Sequence, residues 1–500
     1  MPPCLVKREG EIFLLLVRKM ESYRATIRAI QLFYTAMSPS ILTAVERRRI
    51  IFASLIGTTI EFFDFYIYAT AAVSVFPLLF FPAGEANTAL LASMATFGVA
   101  FVARPIGAIL FGHFGDRVGR KATLVGSLLL MGLATFCIGL LPTYQQIGVF
   151  APALLAVLRF CQGLGLGGEW SGAALLATET AEPGKRARAA MWPQLGAPFG
   201  FLLANGLFLL LTTLFAYDST HTAPDDPFLL WGWRIPFLLS IVMVAVGLYV
   251  RLKLNETPVF ARAVARGERL KSPLAEVLRR NPKQLLLGCF IMVATYGVFY
   301  LMNTWTLSYA IGKVENGGLG IGYRDFLPLQ LLAVLCFALG IPIAGRLADR
   351  YGRRAFLLVI TAAIIGFGFS FGWFLAPAAM GQGAHADLGR MLLFLGSGML
   401  LMGLTFGPMS ALLPELFPTA TRYTGSGIAY NLASILGAAL TPFAAAWLAH
   451  DYGPGAVGGY LATLGGLSFA ALWLSPETRD TNLETMKLRA ATGTEEKAGP

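Results

Sequence analysis

The chain has few charged residues, few cysteines and few histidines. Charged side chains make up 13% of its 500 residues, about half the share of a typical soluble protein. Its five cysteines and four histidines show no pair at metal-ligand spacing. The shortage of charge excludes most soluble enzymes, and the scattered cysteines exclude a disulfide framework and a zinc site. No phosphate-binding loop of the form G-x-x-x-x-G-K-[ST] is present, which argues against an ATP-driven pump.

Long apolar runs dominate the sequence instead. Hydrophobic residues account for 56% of the chain, and the mean hydropathy is +0.64. A helix needs about 20 mostly apolar residues to cross a bilayer, because its backbone must satisfy its own hydrogen bonds there. The sequence therefore predicts an all-α membrane protein. Twelve runs qualify as spans: 50–80, 89–111, 122–141, 150–178, 190–216, 231–250, 284–311, 327–344, 355–376, 391–413, 426–448 and 456–475.

The distribution of lysine and arginine predicts the orientation. The formal net charge is +11, and most basic residues fall in loops on the same side as the N-terminus. This bias predicts that both termini are cytoplasmic and that the positive charge faces anionic lipid, not nucleic acid. The predicted segments are a cytoplasmic N-terminal segment (1–49), a six-helix bundle (50–250), a cytoplasmic linker (251–283), a second six-helix bundle (284–475) and a cytoplasmic tail (476–500).

Two readings of the N-terminal segment stay open. Ile12–Val17 is too short to span a membrane, and the basic residues around it suit a helix lying on the membrane surface. Alternatively, Met37 is the natural start and residues 1–36 do not belong to the protein.

The two predicted bundles share an internal repeat. The loop after the second span reads G-H-F-G-D-R-V-G-R-K, and the loop after the eighth reads G-R-L-A-D-R-Y-G-R-R. A second echo pairs Glu179 and Arg186 with Glu415 and Arg422, and a third places Glu-Thr at 256–257 and at 477–478. The repeated loop residues are Gly112, Asp116, Arg117, Gly119 and Arg120, matched by Gly345, Asp349, Arg350, Gly352 and Arg353.

Twelve spans in two halves, with this loop repeated, resemble the major facilitator superfamily. Four further stretches resemble its metabolite:proton symporters, which include shikimate, α-ketoglutarate, citrate and proline/betaine carriers. They are Glu61-Phe-Phe-Asp64-Phe, Phe101-Val-Ala-Arg104-Pro105, Arg159-Phe-Cys-Gln162-Gly163 with Gly167-Gly168-Glu169-Trp170, and Trp231-Gly-Trp-Arg234. The resemblance implies two pseudo-symmetric six-helix bundles, alternating access, a bacterial inner membrane location, no cofactor and a functional monomer. It also implies that the repeated loops latch the halves together on the inside. Because these loops are short, we expect their glycines to provide backbone freedom.

Ionisable residues inside the spans mark a transport route, because each is unfavourable at membrane depth. At 100° per residue, Glu61, Asp64 and Tyr68 share a stripe of the first span, and Arg159, Gln162 and Glu169 share a face of the fourth. We expect both faces to point to a central cavity. Glu61, Asp64 and Glu169 are the candidates for proton coupling. The hypothesis is that Asp64 or Glu61 carries the proton and that Arg104 or Arg159 partly neutralises Glu169. A purely structural ion-pair network is the alternative.

An arginine without an acidic partner in that cavity would bind a carboxylate through two parallel hydrogen bonds. This favours an organic acid as the substrate, and the resemblance implies that a shikimate-like acid or a dicarboxylate is imported in symport with protons. A proton-independent exchanger, an efflux carrier and a transporter-like sensor are the alternatives. The candidate substrate contacts are Arg104, Arg159, Gln162, Tyr68, Tyr296 and Asn303.

One glycine motif in the fourth span matches a nucleotide-binding pattern without its structural context. Gly163, Gly165 and Gly168 match the dinucleotide-binding pattern, but no strand precedes them and they lie within an apolar run. Close helix packing is the expected use of these glycines.

Overall fold

A computed structural model describes residues 44–81, 86–182, 184–217, 226–253, 257, 259–260, 270, 272–312, 314–481 and 483. The expected surface helix at Ile12–Val17 and the status of residues 1–36 lie outside this part of the chain. Every regular element in the part described is a helix.

Helices cover the predicted apolar runs. Several of them are interrupted, and three contain a π-helical turn. In chain order they are α1 (Ala44–Ser74), α2 (Ala86–Arg117), α3 (Arg120–Leu140), α4 (Phe150–Glu179), α5 (Arg186–Gln194 and Gly196–Leu214), α6 (Phe228–Gly232 and Arg234–Leu252), α7 (Pro282–Tyr300, Leu301–Trp305 and Thr306–Ile311), α8 (Tyr323–Tyr351), α9 (Arg353–Phe369), α10 (Leu388–Glu415), α11 (Arg422–Ser434, Ile435–Ala439 and Thr441–Tyr452) and α12 (Pro454–Leu474).

Eleven helices in the described ranges are long and apolar enough to cross a membrane. The helix outside that group is α9, which has 17 residues and is followed by the short helix Phe371–Leu375. Together these two helices cover the predicted ninth span. Most helices begin a few residues before the predicted limits, and half of them also end beyond these limits, because polar residues at these ends continue the helix.

Helix pairing follows the internal repeat. In the N-terminal half (α1–α6), α2 packs on α4 and α3 packs on α6; in the C-terminal half (α7–α12), α8 packs on α10 and α9 packs on α12. Between the halves, α2 packs on α11 and α8 packs on α5. The halves are thus arranged as two copies of one helix pattern.

Glycines permit the closest helix contacts. A Cβ at Gly163 would lie 2.8 Å from the backbone of Ala100, and one at Gly165 would lie 2.8 Å from the carbonyl of Ser127. The dinucleotide-like pattern therefore serves the packing of α4 against α2 and α3. A Cβ at Gly340 would similarly lie 2.8 Å from the Leu400 carbonyl, where α8 meets α10.

The glycines of the two repeated loops divide into two roles. Gly119 has a φ of 136° and Gly352 a φ of 97°, so both allow the turn between two helices that other residues rarely make. The expectation of loop freedom at Gly112 and Gly345 is wrong, since both lie inside helices. A Cβ at Gly112 would lie 2.9 Å from Cα of Thr424, so its missing side chain lets the halves approach.

Candidate functional site

A narrow cavity of about 30 Å³ lies between the two halves. Side chains from α1, α2, α4 and α5 line one side of it, and side chains from α7, α8, α10 and α11 line the other. Most of the lining residues are aromatic. Glu61 and Arg104 are the charged residues among the described residues that line it.

The two charged residues of the cavity are buried and lie on neighbouring helices. Glu61 on α1 is 1% exposed, and its Oε2 atom has no hydrogen-bond partner among the described residues. Arg104 on α2 donates from Nε to Oδ1 of Asn431 at 3.0 Å. Its guanidinium also lies 5.5 Å from the ring centroid of Tyr430. Arg104 therefore connects the N-terminal half to the C-terminal half at the cavity wall.

Asp64 points into the N-terminal half instead of the cavity. Its Oδ1 atom accepts a hydrogen bond of 2.5 Å from the hydroxyl of Ser240 on α6. Its Oδ2 atom is buried without a hydrogen-bond partner among the described residues. Asp64 thus has an unsatisfied carboxylate oxygen, but Ser240 holds the group away from the space between the halves.

Arg159 also lies inside the N-terminal half. It donates from Nη1 to Oε1 of Gln162, and its guanidinium lies 4.0 Å from the ring centroid of Tyr68. The Nε and Nη2 atoms have no hydrogen-bond partner within the described ranges. The Gln162 amide continues the network to Oγ1 of Thr135 at 2.8 Å. The rings of Phe65, Tyr68 and Phe97 surround the Arg159 guanidinium.

The expectation that both stripes face one cavity is wrong for most of these residues. Among Glu61, Asp64, Tyr68, Arg159, Gln162 and Glu169, only Glu61 lines the cavity. On α1 the lining residues 61, 62, 65 and 66 cover an arc of about 140°, and Glu61 lies at its edge. Asp64 and Tyr68 fall about 60° and 20° beyond that edge.

The expected partner of Glu169 is also wrong. Glu169 forms an ion pair with Arg251 on α6, and its Oε2 atom accepts from Ser127 at 2.9 Å. Arg159 cannot reach it, because ten residues along one helix correspond to about 15 Å of rise. The sequence interpretation assigned Arg251 to the linker, one residue beyond the predicted span. Arg251 is in fact 3% exposed inside the last turn of α6.

In the C-terminal half, Tyr296 lines the cavity but Asn303 does not. Asn303 lies in the π-helical turn of α7 and accepts, through its carbonyl, a hydrogen bond of 2.8 Å from Gln330. The sequence interpretation missed Tyr430, which lines the cavity and stacks on Trp170 with centroids 3.9 Å apart. Only the spatial contact between the halves distinguishes Tyr430 from an ordinary packing residue.

The two repeated aspartates each cap a helix of the opposite half. Asp116 accepts from the backbone N–H groups of Tyr423 and Thr424 at 3.2 and 3.0 Å, near the start of α11. Asp349 accepts from the backbone N–H groups of Ala187 and Arg188 at 3.0 Å each, near the start of α5. A carboxylate is stabilised there by the unpaired N–H groups and by the helix dipole. We call this end of the molecule the motif end.

A second layer of buried ion pairs joins the halves at the motif end. Glu179 pairs with Arg422 at 3.1 Å and with Arg120 at 3.5 Å. Its counterpart Glu415 pairs with Arg186 at 3.5 Å and with Arg353 at 3.3 Å. The hydroxyl of Thr257 donates to Glu179, and that of Thr478 donates to Glu415. Arg117 and Arg350, which the sequence also grouped here, are exposed and lie outside this network.

The chain that follows α12 crosses the motif end. Glu477 accepts from the backbone N–H of Arg353 at 2.8 Å, at the start of α9. The carbonyl of Thr481 accepts from Arg186 at 2.6 Å, and that of Leu483 accepts from Arg422 at 3.0 Å. This segment therefore contacts the arginines that hold the two halves together.

Removing one capping carboxylate is expected to open the motif end. Asp116→Asn removes the charge that two N–H groups and a hydroxyl of α11 contact, so we expect a larger population with separated halves. Spin labels at Val118→Cys and Tyr351→Cys, both exposed positions, in a cysteine-free background should report longer distances. The exposed variant Arg117→Gln serves as the control. Unchanged distances in Asp116→Asn would contradict a locking role for this contact.

Two related helical halves that surround a central cavity and lock together at one end are the architecture of an alternating-access membrane transporter. The family model described as Major Facilitator Superfamily matches residues 54–435 and 329–494. The chain belongs to the major facilitator superfamily, so it is a transport protein and not an enzyme.

The curated relatives are bacterial transport proteins. The inner membrane metabolite transport protein YhjE of Escherichia coli (strain K12) is 53% identical over 438 residues, 88% of this chain and 96% of that protein. The shikimate transporter of the same strain is 36% identical over 81% of this chain and 89% of its own length. Its proline/betaine transporter is 33% identical over 83% of this chain and 80% of its own length. The chain is therefore a multi-pass membrane protein of a bacterial inner membrane metabolite transporter family.

A solved structure has the same fold. The proton:xylose symporter XylE bound to 6-bromo-6-deoxy-D-glucose matches with a TM-score of 0.69, over 89% of this chain and 98% of that chain. Its sequence identity is 16%, so the likeness concerns the fold alone.

Proposed function

We propose that this transporter imports a small organic acid, shikimate-like or a dicarboxylate, by proton symport with alternating access. The observation that carries the proposal is that one carboxylate and one guanidinium, Glu61 and Arg104, line the same cavity between the halves. A guanidinium binds a carboxylate group through two parallel hydrogen bonds. The carboxyl group of Glu61 in the same cavity can take up and release a proton.

Glu61 is the better of the two candidate proton carriers. It lines the cavity, so a proton can reach it whenever the cavity opens to either side of the membrane. Asp64 instead faces Ser240 on α6. Burial disfavours the charged form of a carboxylate and a nearby cation favours it, so Arg104 and the substrate both influence its charge. An incoming substrate carboxylate that occupies Arg104 favours a protonated Glu61. Proton and acid would then bind together.

The closed motif end supports alternating access. Asp116 and Asp349 hold helices of the opposite half, and Glu179 and Glu415 add ion pairs behind them. We propose that these contacts hold the cytoplasmic side closed. They break when substrate and proton are bound and the two halves rotate to open the cavity to the cytoplasm. The excess of lysine and arginine at this end supports its cytoplasmic location. A reporter enzyme fused to the C-terminus, active only in the cytoplasm, tests that orientation.

Uptake into liposomes that contain the purified protein tests the proposed function. With acid outside, radiolabelled shikimate, dicarboxylates, citrate and betaine are offered in turn, and a dissipated pH gradient is the control. We expect accumulation of an organic acid that vanishes when the gradient is removed. Exchange that is indifferent to the gradient would instead favour a proton-independent exchanger. No flux of any candidate would favour a sensor.

A zwitterion is the second candidate substrate. The aromatic rings of Tyr66, Phe299 and Tyr300 lie in the same cavity as Arg104, and aromatic faces attract quaternary ammonium groups. A betaine would place its carboxylate on Arg104 and its cation among the rings. Preference for betaine over shikimate in the same uptake screen selects this candidate.

A further inference from the structure

Arg251 reaches across the N-terminal half from its position at the end of α6. Its Nη1 atom donates to the carbonyl of Leu124 on α3 at 2.5 Å and to Oε2 of Glu169 on α4 at 2.9 Å. Its guanidinium also fills the place where a side chain of Gly57 on α1 would stand, since a Cβ there would overlap Nη2. Arg251 therefore touches three helices besides its own.

The position of Gly57 brings Arg251 close to the cavity. Gly57 and Glu61 are four residues apart on α1, so they lie on one face about 6 Å apart. Arg251 thus lies one helical turn from Glu61 while it is paired with Glu169. Its charge acts on Glu61 together with that of Arg104.

We propose that Arg251 is a counter-ion shared by two carboxylates, Glu169 inside the N-terminal half and Glu61 at the cavity wall. It acts as a positioning residue. When Glu61 is protonated, Glu169 holds the whole charge of Arg251. When Glu61 is ionised, Arg251 is attracted to both. Because α6 ends at Leu252, one residue after Arg251, proton binding at the cavity changes a contact at the start of the connection between the halves.

Other groups also surround Glu61 and contribute to its electrostatic environment. Tyr66 lies on the same helix as Glu61. Within the described ranges, the ionisable groups of other helices that surround Glu61 or act on it electrostatically are Arg104 on α2, Arg251 on α6, Tyr296 and Tyr300 on α7, and Tyr423 and Tyr430 on α11. Arg251 differs from Arg104 because it already has an acidic partner, which makes its effect on Glu61 depend on Glu169.

Infrared titration of the full chain in liposomes tests the proposal without any substrate. The carboxylic acid band of Glu61 is identified in each background as the band lost in Glu61→Gln, and its pH midpoint is measured. Arg251→Gln removes a cation near Glu61, so the midpoint should rise by about one pH unit. Glu169→Gln releases Arg251 to Glu61, so the midpoint should fall by a similar amount.

The double variant and two controls make the test specific. In Arg251→Gln combined with Glu169→Gln, the midpoint should match that of Arg251→Gln alone, because Glu169 acts on Glu61 through Arg251. This variant also avoids leaving a buried charge unpaired. Arg251→Lys keeps the positive charge, so its midpoint should stay close to that of the parent protein. Glu182→Gln should change nothing, since Glu182 is partly exposed and Lys185 holds its pKa below the usual range.

Several results would overturn the inference. A midpoint that is unchanged in Arg251→Gln, shifts of the same sign in both single variants, or a Glu169→Gln shift that persists in the double variant would each do so, as would a missing Glu61 band. The idea rests on the proposed proton symport, yet the two can fail separately. Opposite shifts without gradient-driven uptake would contradict only the proposed function. Gradient-driven uptake without opposite shifts would contradict only the shared counter-ion.

Discussion

Glu61→Gln is expected to abolish accumulation of the organic acid while leaving its exchange intact. With one proton per substrate, a gradient of one pH unit drives about tenfold accumulation, because one unit corresponds to about 1.4 kcal/mol. Glutamine has the shape of a protonated glutamate but cannot release a proton. The variant should therefore only equalise the substrate concentration across the liposome membrane. Counterflow with substrate on both sides should continue.

Asp64→Asn is the matched comparison for this experiment. It removes a carboxylate three residues along the same helix, but one that faces Ser240 instead of the cavity. We expect it to retain gradient-driven accumulation. Loss of accumulation in Asp64→Asn together with its retention in Glu61→Gln would move the proton site to the Asp64–Ser240 pair. Purified variants must first show the elution profile of the parent protein, so that misfolding is separated from lost coupling.

Arg104→Gln is expected to weaken binding of the acid by about 30-fold or more, because removing one partner of a buried charged pair costs about 2 kcal/mol or more. Arg104→Lys keeps the charge but loses the planar fork of donors, so its affinity should lie between the two. The measurement is the concentration of unlabelled acid that halves exchange, with shikimate as the first probe.

The exposed Lys283→Gln is the control for the loss of one positive charge. It should leave that concentration unchanged. Arg159→Lys tests whether the acid binds in the cavity or at Arg159, which aromatic rings surround inside the N-terminal half. If Arg159→Lys weakens binding as strongly as Arg104→Gln, the acid binds at Arg159 and the cavity assignment is wrong.

The buried charges of the N-terminal half form separate groups with different surroundings. Glu61 and Arg104 line the cavity, Asp64 is held by Ser240, and Glu169 is held by Arg251. Helix α6 supplies the partner in the last two groups. Helix α6 contributes no residue to the cavity lining among the described residues.

The amino-acid sequence by itself determined the membrane class, the helical spans, the internal repeat and the superfamily. These follow from local properties, since apolar runs of bilayer length and repeated loop residues can be read along the chain. Glu61, Arg104 and Tyr296, which the sequence singled out, line the central cavity. Asp116 and Asp349 stood out because each recurs at the same place in its half.

Only the tertiary structure decided which charged groups are partners. A stripe on one helix shows which residues share a face, but it does not show which neighbouring helix that face meets. Asp64 and Glu61 therefore looked equivalent, although one meets α6 and the other meets the cavity. Arg251 looked like a linker residue until the packing of α6 placed it beside Glu169, because ion pairing depends on distances between helices that are far apart in sequence.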